Sequence, residues 1–583
     1  MTLADPIRYG VDLTHRAQHL VTVAVEVPGD LAPGARVVLP VWTPGSYVVR
    51  DYVRHVQRIA ARDGGGAVVE LRPDGRTAWI LPHDVDGPVT VELEIYGHEL
   101  TVRTNHIDDH HALLIPAATF PYVEDGRGRQ HEVRLSLPEG WRSWSLLPED
   151  DGAFVADDYD HLVDSAFEAG DHPEVAYEVA GIPHRFVWGG HGGRPDLARI
   201  AADATAIGEA AAAVFGGDLP VDRYTFLCAA WSRGAGGLEH RDGAVLAVPV
   251  HDIADPDGYR TFQSLVAHEY FHLWNVKRLV PAALTALDYT GPVHTASLWV
   301  AEGWTAYYDE LLPLRAALWT PKQYFDRAAE QVRKVLERPG RELQSVRMAS
   351  HEAWTKFYVR DENSPNVGVS YYEHGAVLAW CLDLLLRREA PDGDGLDGVL
   401  RLLWERFGRT GRGYEEGDVE AAAADVAGRD LAEFFSGYVS GTEIPPIEDL
   451  LEVVGLRLRE KEQQPDQSVP PDLGIETTAD ADGITIASVL RNRPAWRGGL
   501  SGGDRLLAID GVRVGTGELE KVLRSYREGD RIDVTVFRGP RLVTAEVELG
   551  SPRASRELVP VDDPSASQRD AFEAWAGTSL SND

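Results

Sequence analysis

The chain contains 583 residues, more than one hydrophobic core usually organises, so several domains are expected. With 44% hydrophobic and 26% charged residues, it has the composition of a folded globular protein rather than a disordered or fibrous one. Its 92 acidic residues outnumber its 57 basic ones, and the net charge of −35 argues against nucleic acid or an anionic membrane as the main partner.

The N-terminus and the cysteines narrow the class of protein further. Residues 1–13 lack the basic and apolar segments of a secretion signal, and no run of about 18 apolar residues occurs in the chain. We therefore expect a cytoplasmic protein without a membrane partner. Cys228 and Cys381 lie in apolar runs and are expected to be buried thiols, which leaves His and carboxylate side chains to hold any metal ion.

Short segments of alternating apolar and polar residues fill the region from residue 9 to residue 168, for example residues 21–27 and 89–95. Clusters of Gly, Pro and Asp separate these segments, which is the pattern of β-strands joined by turns. The sequence predicts a β-rich N-terminal domain over residues 1–180, with a sandwich as the expected arrangement.

Longer helical patterns follow this region and predict a second, mostly helical domain over residues 181–450. The predicted helices cover residues 196–215, 261–274, 296–312 and 375–388. The fold class expected for the whole chain is therefore multidomain α+β.

Two further segments complete the predicted organisation. A polar, proline-bearing stretch at residues 460–471 introduces short β-like runs around one helical stretch, which predicts a small domain over residues 451–551. In the tail, residues 552–583, Phe572 and Trp575 stand three residues apart ahead of Gly577, a possible helix cap. One short docking helix is expected there.

The strongest chemical signal lies in the predicted helix at residues 261–274, where His268 and His272 stand four residues apart. On an α-helix this spacing puts both imidazoles on one face, so both can reach one metal ion. Glu269 stands beside them, placed to take a proton from a water on the metal but too close to chelate it. The motif predicts a catalytic zinc site if a third ligand exists.

Glu302 is the candidate third ligand, because it is a carboxylate inside an otherwise apolar and aromatic helical run. A buried carboxylate without a cation would be costly. The competing arrangement needs a Gly three residues and a His six residues after the second histidine, where this chain has Asn275 and Arg278. Two His and one Glu leave a fourth position on the zinc for water.

For two other groups of residues the sequence alone indicates no function. His106, His110 and His111 could chelate a second metal ion, but such a run is more often a polar loop. The glycine-rich residues 189–193 lack the Lys-Ser/Thr pair that a phosphate-binding loop needs.

Residues 268–278 and 299–305 together resemble the PDZ-containing glycyl aminopeptidases of the gluzincin group, and residues 40–47 and 159–165 are similar to that family's N-terminal region. The resemblance implies a β-rich N-terminal domain, a thermolysin-like catalytic domain, a C-terminal PDZ domain and one Zn²⁺ per chain. Residues 494–511 resemble a bacterial PDZ core.

The resemblance also implies roles for residues outside the metal motif. Gly236, Gly237 and Glu239 are similar to the exopeptidase motif, in which the carboxylate binds the substrate's α-ammonium group and the glycines admit the peptide backbone. A surface turn is the alternative interpretation of this segment. Tyr372 matches the tyrosine that donates its hydroxyl to the oxyanion, with Tyr371 as the rival if the register slips by one residue.

In the PDZ region, residues 473–475 could receive a peptide carboxylate beside a sheet edge, but the negative charge of Asp472 would oppose this. Two roles are therefore open for the PDZ domain. It could contact a peptide or protein, or it could have a structural or gating role.

The function predicted for the whole chain is a zinc aminopeptidase that hydrolyses an N-terminal Gly or Ala from peptides with a free N-terminus. Glu269 would act as the general base and Tyr372 as the oxyanion donor. A zinc endopeptidase with the same chemistry and a non-catalytic peptide-binding scaffold are the alternatives.

Overall fold

A computed structural model describes residues 5–461, 469–553 and 555–580. The polypeptide forms two compact units that alternate along the sequence. The first takes in the described residues up to Thr295, together with Tyr308–Trp319 and Val399–Val419. The second takes in Ala296–Tyr307, Thr320–Gly398 and the described residues from Glu420 onwards.

The N-terminal part of the first unit contains three sheets. The largest has eight strands in the spatial order Glu149–Asp150, Ala153–Ala156, His131–Ser136, Ile7–Asp12, Leu20–Val27, Val89–Tyr96, Val56–Asp63 and Val68–Val69. The second has the order Arg142–Ser145, Phe167–Gly170, His111–Leu114 and His106–Ile107, and the third the order Tyr122–Val123, Arg36–Val38, Ala78–Ile80 and Arg72–Asp74.

The alternating pattern of the sequence explains this β-rich region. In strand Leu20–Val27 every second residue is buried, and its inward valines join one core with those of strand Val89–Tyr96. The opposite face carries polar residues, as expected for a strand with one solvated side. The β-rich N-terminal domain predicted from the sequence is confirmed.

A five-stranded mixed sheet follows within the first unit. Its strands have the order Glu174–Val179, Ile182–Gly190, Tyr224–Trp231, Gly243–Pro249 and Gly236–His240. Strand Tyr224–Trp231 is buried along its whole length, including Cys228, and has parallel neighbours on both sides. Strand Gly236–His240 lies at the sheet edge. The region predicted as mostly helical therefore begins with a sheet.

The helix that carries the metal motif runs over Pro256–Phe271. It begins earlier than the predicted residue 261 because the Asp255 side chain accepts hydrogen bonds from the backbone of Asp257 and Gly258, with Pro256 in the first turn. The other described helices with residues in the first unit are Arg16–Gln18, Tyr52–His55, Pro116–Thr119, Glu124–Gly126, Tyr159–Val163, Leu197–Val214, Asp252–Ala254, Ala282–Leu284, Thr305–Arg315, Leu396–Arg406, Gly408–Thr410 and Glu416–Ala427.

The second unit is helical in its first part. A π-helix, Trp299–Trp304, leads directly into Thr305–Arg315. A Cβ on Gly303 would lie 2.6 Å from Cα of Gly375, so the two glycines let the π-helix approach the start of helix Glu373–Glu389. The other described helices of this unit are Pro321–Glu337, Pro339–Glu342, Val346–His351, Ala353–Phe357, Ser364–Val367, Ala432–Phe434, Phe435–Val439, Ile447–Leu451, Glu452–Val454, Pro494–Gly498, Leu519–Leu523 and Ala566–Ala576.

The C-terminal part of the second unit is the small β domain predicted from the sequence. Its sheet has the order Ile475–Asp480, Gly483–Val489, Arg505–Ile509, Arg531–Arg538 and Arg541–Glu548, with Val512–Arg513 paired to the central strand. Strands Leu456–Glu460 and Arg556–Pro560 pair separately. Among the described residues, no helix is long and apolar enough to cross a membrane.

Candidate active site

His268 and His272 lie one turn apart at the end of helix Pro256–Phe271, with their ring centroids 4.7 Å apart. The Nδ1 atom of His272 lies 2.7 Å from the carbonyl oxygen of Asn275, which can only accept a hydrogen bond. The Nδ1 atom of His268 lies 2.8 Å from Oδ2 of Asp309. Both contacts place the ring proton on Nδ1, so Nε2 is the ring atom that carries the lone pair a metal ion would use.

Asp309 is a functional residue that the sequence analysis missed. It lies on helix Thr305–Arg315, seven residues after Glu302, and its side chain also accepts a hydrogen bond from Ser264. A carboxylate behind a ligating imidazole fixes the ring and increases its basicity. Nothing in the sequence singled it out, because its partner His268 lies 41 positions away in the chain.

Glu269 is buried and packs against the edge strand Gly236–His240. A Cβ built on Gly237 would lie 2.0 Å from Oε1 and 2.5 Å from Cγ of Glu269. Any larger residue at position 237 would therefore displace the carboxylate. Gly236 has a φ angle of 134°, a conformation that favours glycine. The structure thus explains why glycine occupies both positions 236 and 237.

The same strand carries Glu239, whose side chain is only 4% exposed. Ligand atoms of Glu239, Glu269 and His272 lie within 4.8 Å of one another. The structure therefore brings together the predicted amine anchor, the predicted base and one predicted metal ligand. Glu239 thus lies in the buried part of a strand, whereas residues 232–235, which precede this strand, are exposed.

The N-terminal region supplies the other wall of the Glu239 site. A Cβ on Gly45 would lie 2.6 Å from both carboxylate oxygens of Glu239. Trp42, Pro44, Gly45 and Tyr47 line a cleft of about 440 Å³ together with Glu239. No pattern in the sequence indicated this contact, because residues 40–47 stood out only by resemblance.

The second N-terminal segment that carries the resemblance, residues 159–165, also reaches this site. Asp164 lies 2.8 Å from Nζ of Lys277 and 3.2 Å from Nδ1 of His240. Burial raises the pKa of Asp164, but the charge of Lys277 and the hydrogen bond from His240 outweigh it and lower this pKa to about 2. The ionised carboxylate ties strand Gly236–His240 to the segment that follows His272.

Glu302 and Tyr372 belong to the second unit. Glu302 is 1% exposed and lies in the π-helix Trp299–Trp304. Burial raises the pKa of Tyr372 well above its ordinary value, and the charge of Glu302 adds to this increase, so the phenol stays protonated and can donate. Tyr371 is fully buried, whereas Tyr372 is partly exposed. The hydroxyl of Tyr371 lies 3.2 Å from that of Tyr358, which also interacts with Tyr372.

The small C-terminal β domain has a groove of about 650 Å³ lined by residues of strand Ile475–Asp480 and helix Leu519–Leu523. Asp472, expected to repel a peptide carboxylate here, is engaged by Nη1 of Arg493 at 3.3 Å and by Nε of Arg553 at 2.9 Å. These two cations offset its charge, so the electrostatic objection to carboxylate binding is weaker than the sequence suggested.

Three family models match parts of the chain. Residues 8–171 match the peptidase M61 N-terminal domain, residues 261–378 the M61 glycyl aminopeptidase, and residues 471–549 a PDZ domain. A crystal structure of an aminopeptidase N family protein from Idiomarina loihiensis matches with a TM-score of 0.92 and 29% identity, over 98% of this chain and 100% of that chain.

A second solved structure, of an M1 zinc metallopeptidase from Deinococcus radiodurans, matches with a TM-score of 0.47 and 13% identity, over 76% of this chain and 94% of that chain. No curated protein matches the chain. The three domain matches confirm the family resemblance and the PDZ domain predicted from the sequence.

Proposed function

Because the chain is a PDZ-containing member of the M61 glycyl aminopeptidase family, we propose that it removes one N-terminal residue, Gly or Ala, from peptides with a free N-terminus. One observation carries this proposal. Glu239, Glu269 and His272 stand within 4.8 Å of one another, so an amine anchor lies one residue's length from the base and the metal ligand.

A zinc ion held by His268, His272 and Glu302 fits the residues present. Both histidines have Nδ1 fixed by an acceptor, so Nε2 is the ring atom that would bind the metal. Glu302 is a buried carboxylate in an otherwise apolar and aromatic helical run, and a cation would offset the cost of burying its charge. When bound, zinc would supply Lewis acidity to the attacking water and to the scissile carbonyl.

The protein's own groups perform the remaining steps. Glu239 binds the α-ammonium group and orients the first peptide bond. Glu269 takes a proton from the attacking water and delivers it to the leaving amine. Tyr372 donates its hydroxyl to the oxyanion that develops on the carbonyl. Gly237 leaves Glu269 the space to hold this position.

The test is to remove and restore the metal and to separate its ligands from the base. We expect a chelator to abolish release of p-nitroaniline from glycyl and alanyl p-nitroanilides, and Zn²⁺ to restore it. Glu269→Gln should keep the zinc content of the catalytic site but lose nearly all turnover, whereas Glu302→Ala should lose both. Glu302→Ala with wild-type zinc content and activity would refute the ligand assignment.

A further inference from the structure

Two histidine-bearing segments that the sequence analysis left without a role meet in the first unit. One contains His106, Asp108 and His111, around strands His106–Ile107 and His111–Leu114. The other is the glycine-rich segment after strand Ile182–Gly190, which carries His191. Ligand atoms of these four side chains lie within 4.8 Å of one another.

Asp108 is the centre of this cluster. Its Oδ1 accepts hydrogen bonds from the backbone nitrogens of His110 at 2.8 Å and His111 at 3.0 Å. Its Oδ2 lies 3.2 Å from Nε2 of His106 and 2.5 Å from Nε2 of His191. One carboxylate oxygen is thus fixed by the backbone, while the other faces two imidazole nitrogens.

His111 supports the cluster from behind. Its Nδ1 lies 2.8 Å from Oε1 of Glu168, and its Nε2 accepts a hydrogen bond from Nε1 of Trp231 at 3.1 Å. Both ring nitrogens are therefore occupied. His106, Asp108 and His191 are therefore the side chains that could exchange their mutual hydrogen bonds for bonds to a metal ion.

The backbone brings His191 to this position by a close approach. The backbone nitrogen of His191 donates a hydrogen bond to the carbonyl oxygen of Ala230 at 2.8 Å. A Cβ on the preceding residue, Gly190, would lie 2.4 Å from the same oxygen. The His191 side chain is 34% exposed, so an ion can reach it. His106 and His191 also line a cleft of about 530 Å³ that has room for water ligands.

We propose that His106, Asp108 and His191 form a second metal site, distinct from the predicted catalytic one, for a divalent transition-metal ion such as Zn²⁺. Two imidazoles and one carboxylate are suitable ligands for such an ion, and cleft water completes the coordination. Nε2 of His106 and Oδ2 of Asp108 are 3.2 Å apart. Two ligand atoms that each lie about 2 Å from one tetrahedral ion have the same separation. The partly exposed His191 ring moves outward by less than about 1 Å to match.

The site also explains why the two segments are joined. The cleft that His106 and His191 line includes Arg233 and Gly234, which precede the edge strand Gly236–His240. A Cβ on Gly234 would lie 3.0 Å from the carbonyl oxygen of Leu100. A bound ion stabilises the contact between the N-terminal sheets and the segment that leads to Glu239.

The test measures zinc bound per chain in the full-length protein after chelation and equilibration with Zn²⁺. We expect His191→Ala and Asp108→Asn each to bind one equivalent fewer than wild type. His110→Ala is the matched control, because this neighbouring side chain is 71% exposed and bonds no member of the set. It should bind as much zinc as wild type.

Two further measurements test whether the variants fold and which of the two sites has lost its zinc. Circular dichroism of the metal-free variants should match wild type, since His191 lies at the surface. His272→Ala loses the catalytic ion independently, so a failure of that site is seen in this variant alone. If His191→Ala and Asp108→Asn bind as much zinc as wild type and His110→Ala, the second site does not exist.

Discussion

Glu239 and Glu269 owe their different roles to their neighbours. Glu269 stands against Gly237 and close to His272, whereas Glu239 stands against Gly45 and faces a cleft. The role proposed for Glu269 follows from the sequence, because Glu269 adjoins a predicted metal ligand. The contact with Gly45 could not, because it depends on a segment far away in the chain.

Tyr372→Phe should lower kcat more than it raises KM, because the hydroxyl bonds an oxyanion that exists only near the transition state. Loss of one such donor typically reduces kcat about 100- to 1,000-fold. Steady-state kinetics on glycyl p-nitroanilide measure this change.

Tyr371→Phe is the matched control for Tyr372→Phe. Its hydroxyl already bonds Tyr358 in the core, so its loss should affect stability rather than turnover. Normal turnover in Tyr372→Phe together with a collapse in Tyr371→Phe would move the role by one residue.

At the scale of elements, apolar periodicity predicted the main helices but not their irregularities. Residues 296–312 were predicted as one helix, yet Trp299–Trp304 is a π-helix that continues into Thr305–Arg315. A period of 3.6 residues does not encode a π-helix or the close approach of Gly303 and Gly375 within this stretch. The docking helix expected in the tail is present as Ala566–Ala576, with Gly577 as its left-handed cap.

The edge strand Gly236–His240 provides a test of how an element positions the base. Gly237→Ala should reduce kcat at least about 100-fold, because the new methyl group displaces the Glu269 carboxylate and general-base catalysis typically contributes that much. Zinc content should stay at the wild-type value. Kinetics and metal analysis of the same sample distinguish the two effects.

Gly10→Ala is a suitable control for that variant, since a Cβ at Gly10 meets no atom within 4 Å. It should retain wild-type kcat. Equal turnover in Gly237→Ala and Gly10→Ala would contradict the proposed position of the base.

The C-terminal helix should stabilise the second unit. Trp575 is fully buried, its ring lies 6.1 Å from that of Trp380, and its Nε1 donates to the Tyr307 hydroxyl at 2.7 Å. Trp575→Ala should destabilise this unit by about 3–5 kcal/mol, the usual cost of removing a buried tryptophan. Denaturant unfolding measures the change. Trp496→Ala removes a 46% exposed tryptophan and should have little effect, and equal losses would contradict the docked helix.

At the scale of the whole molecule, composition and linkers predicted the kinds of domain but not how the chain alternates between units. The predicted boundaries near residues 180, 450 and 551 rest on composition alone and stay predictions. Long-range ion pairs could not be predicted from the sequence either. Asp472 is an example, because its partners Arg493 and Arg553 are distant in the sequence. The close approach of His268 and His272 was predictable because the two residues lie one helical turn apart.

The central claim is that the enzyme releases one residue at a time from a free N-terminus, with Glu239 as the anchor of the amine. Charge-assisted hydrogen bonds contribute about 1.5–3 kcal/mol, so Glu239→Ala and Glu239→Gln should reduce kcat/KM roughly 10- to 150-fold on free-amine peptides. On N-acetylated peptides the wild type should already be slow, and neither substitution should reduce it further.

The direct measurement is mass spectrometry of the products from one glycine-led peptide, offered free and N-acetylated to wild type and to Glu239→Ala. We predict release of single glycine from the free peptide by the wild type, much slower release by Glu239→Ala, and almost no cleavage of the blocked peptide by either. Equal internal cleavage of free and blocked peptides by the wild type, unaffected by Glu239→Ala, would contradict the aminopeptidase assignment and leave an endopeptidase.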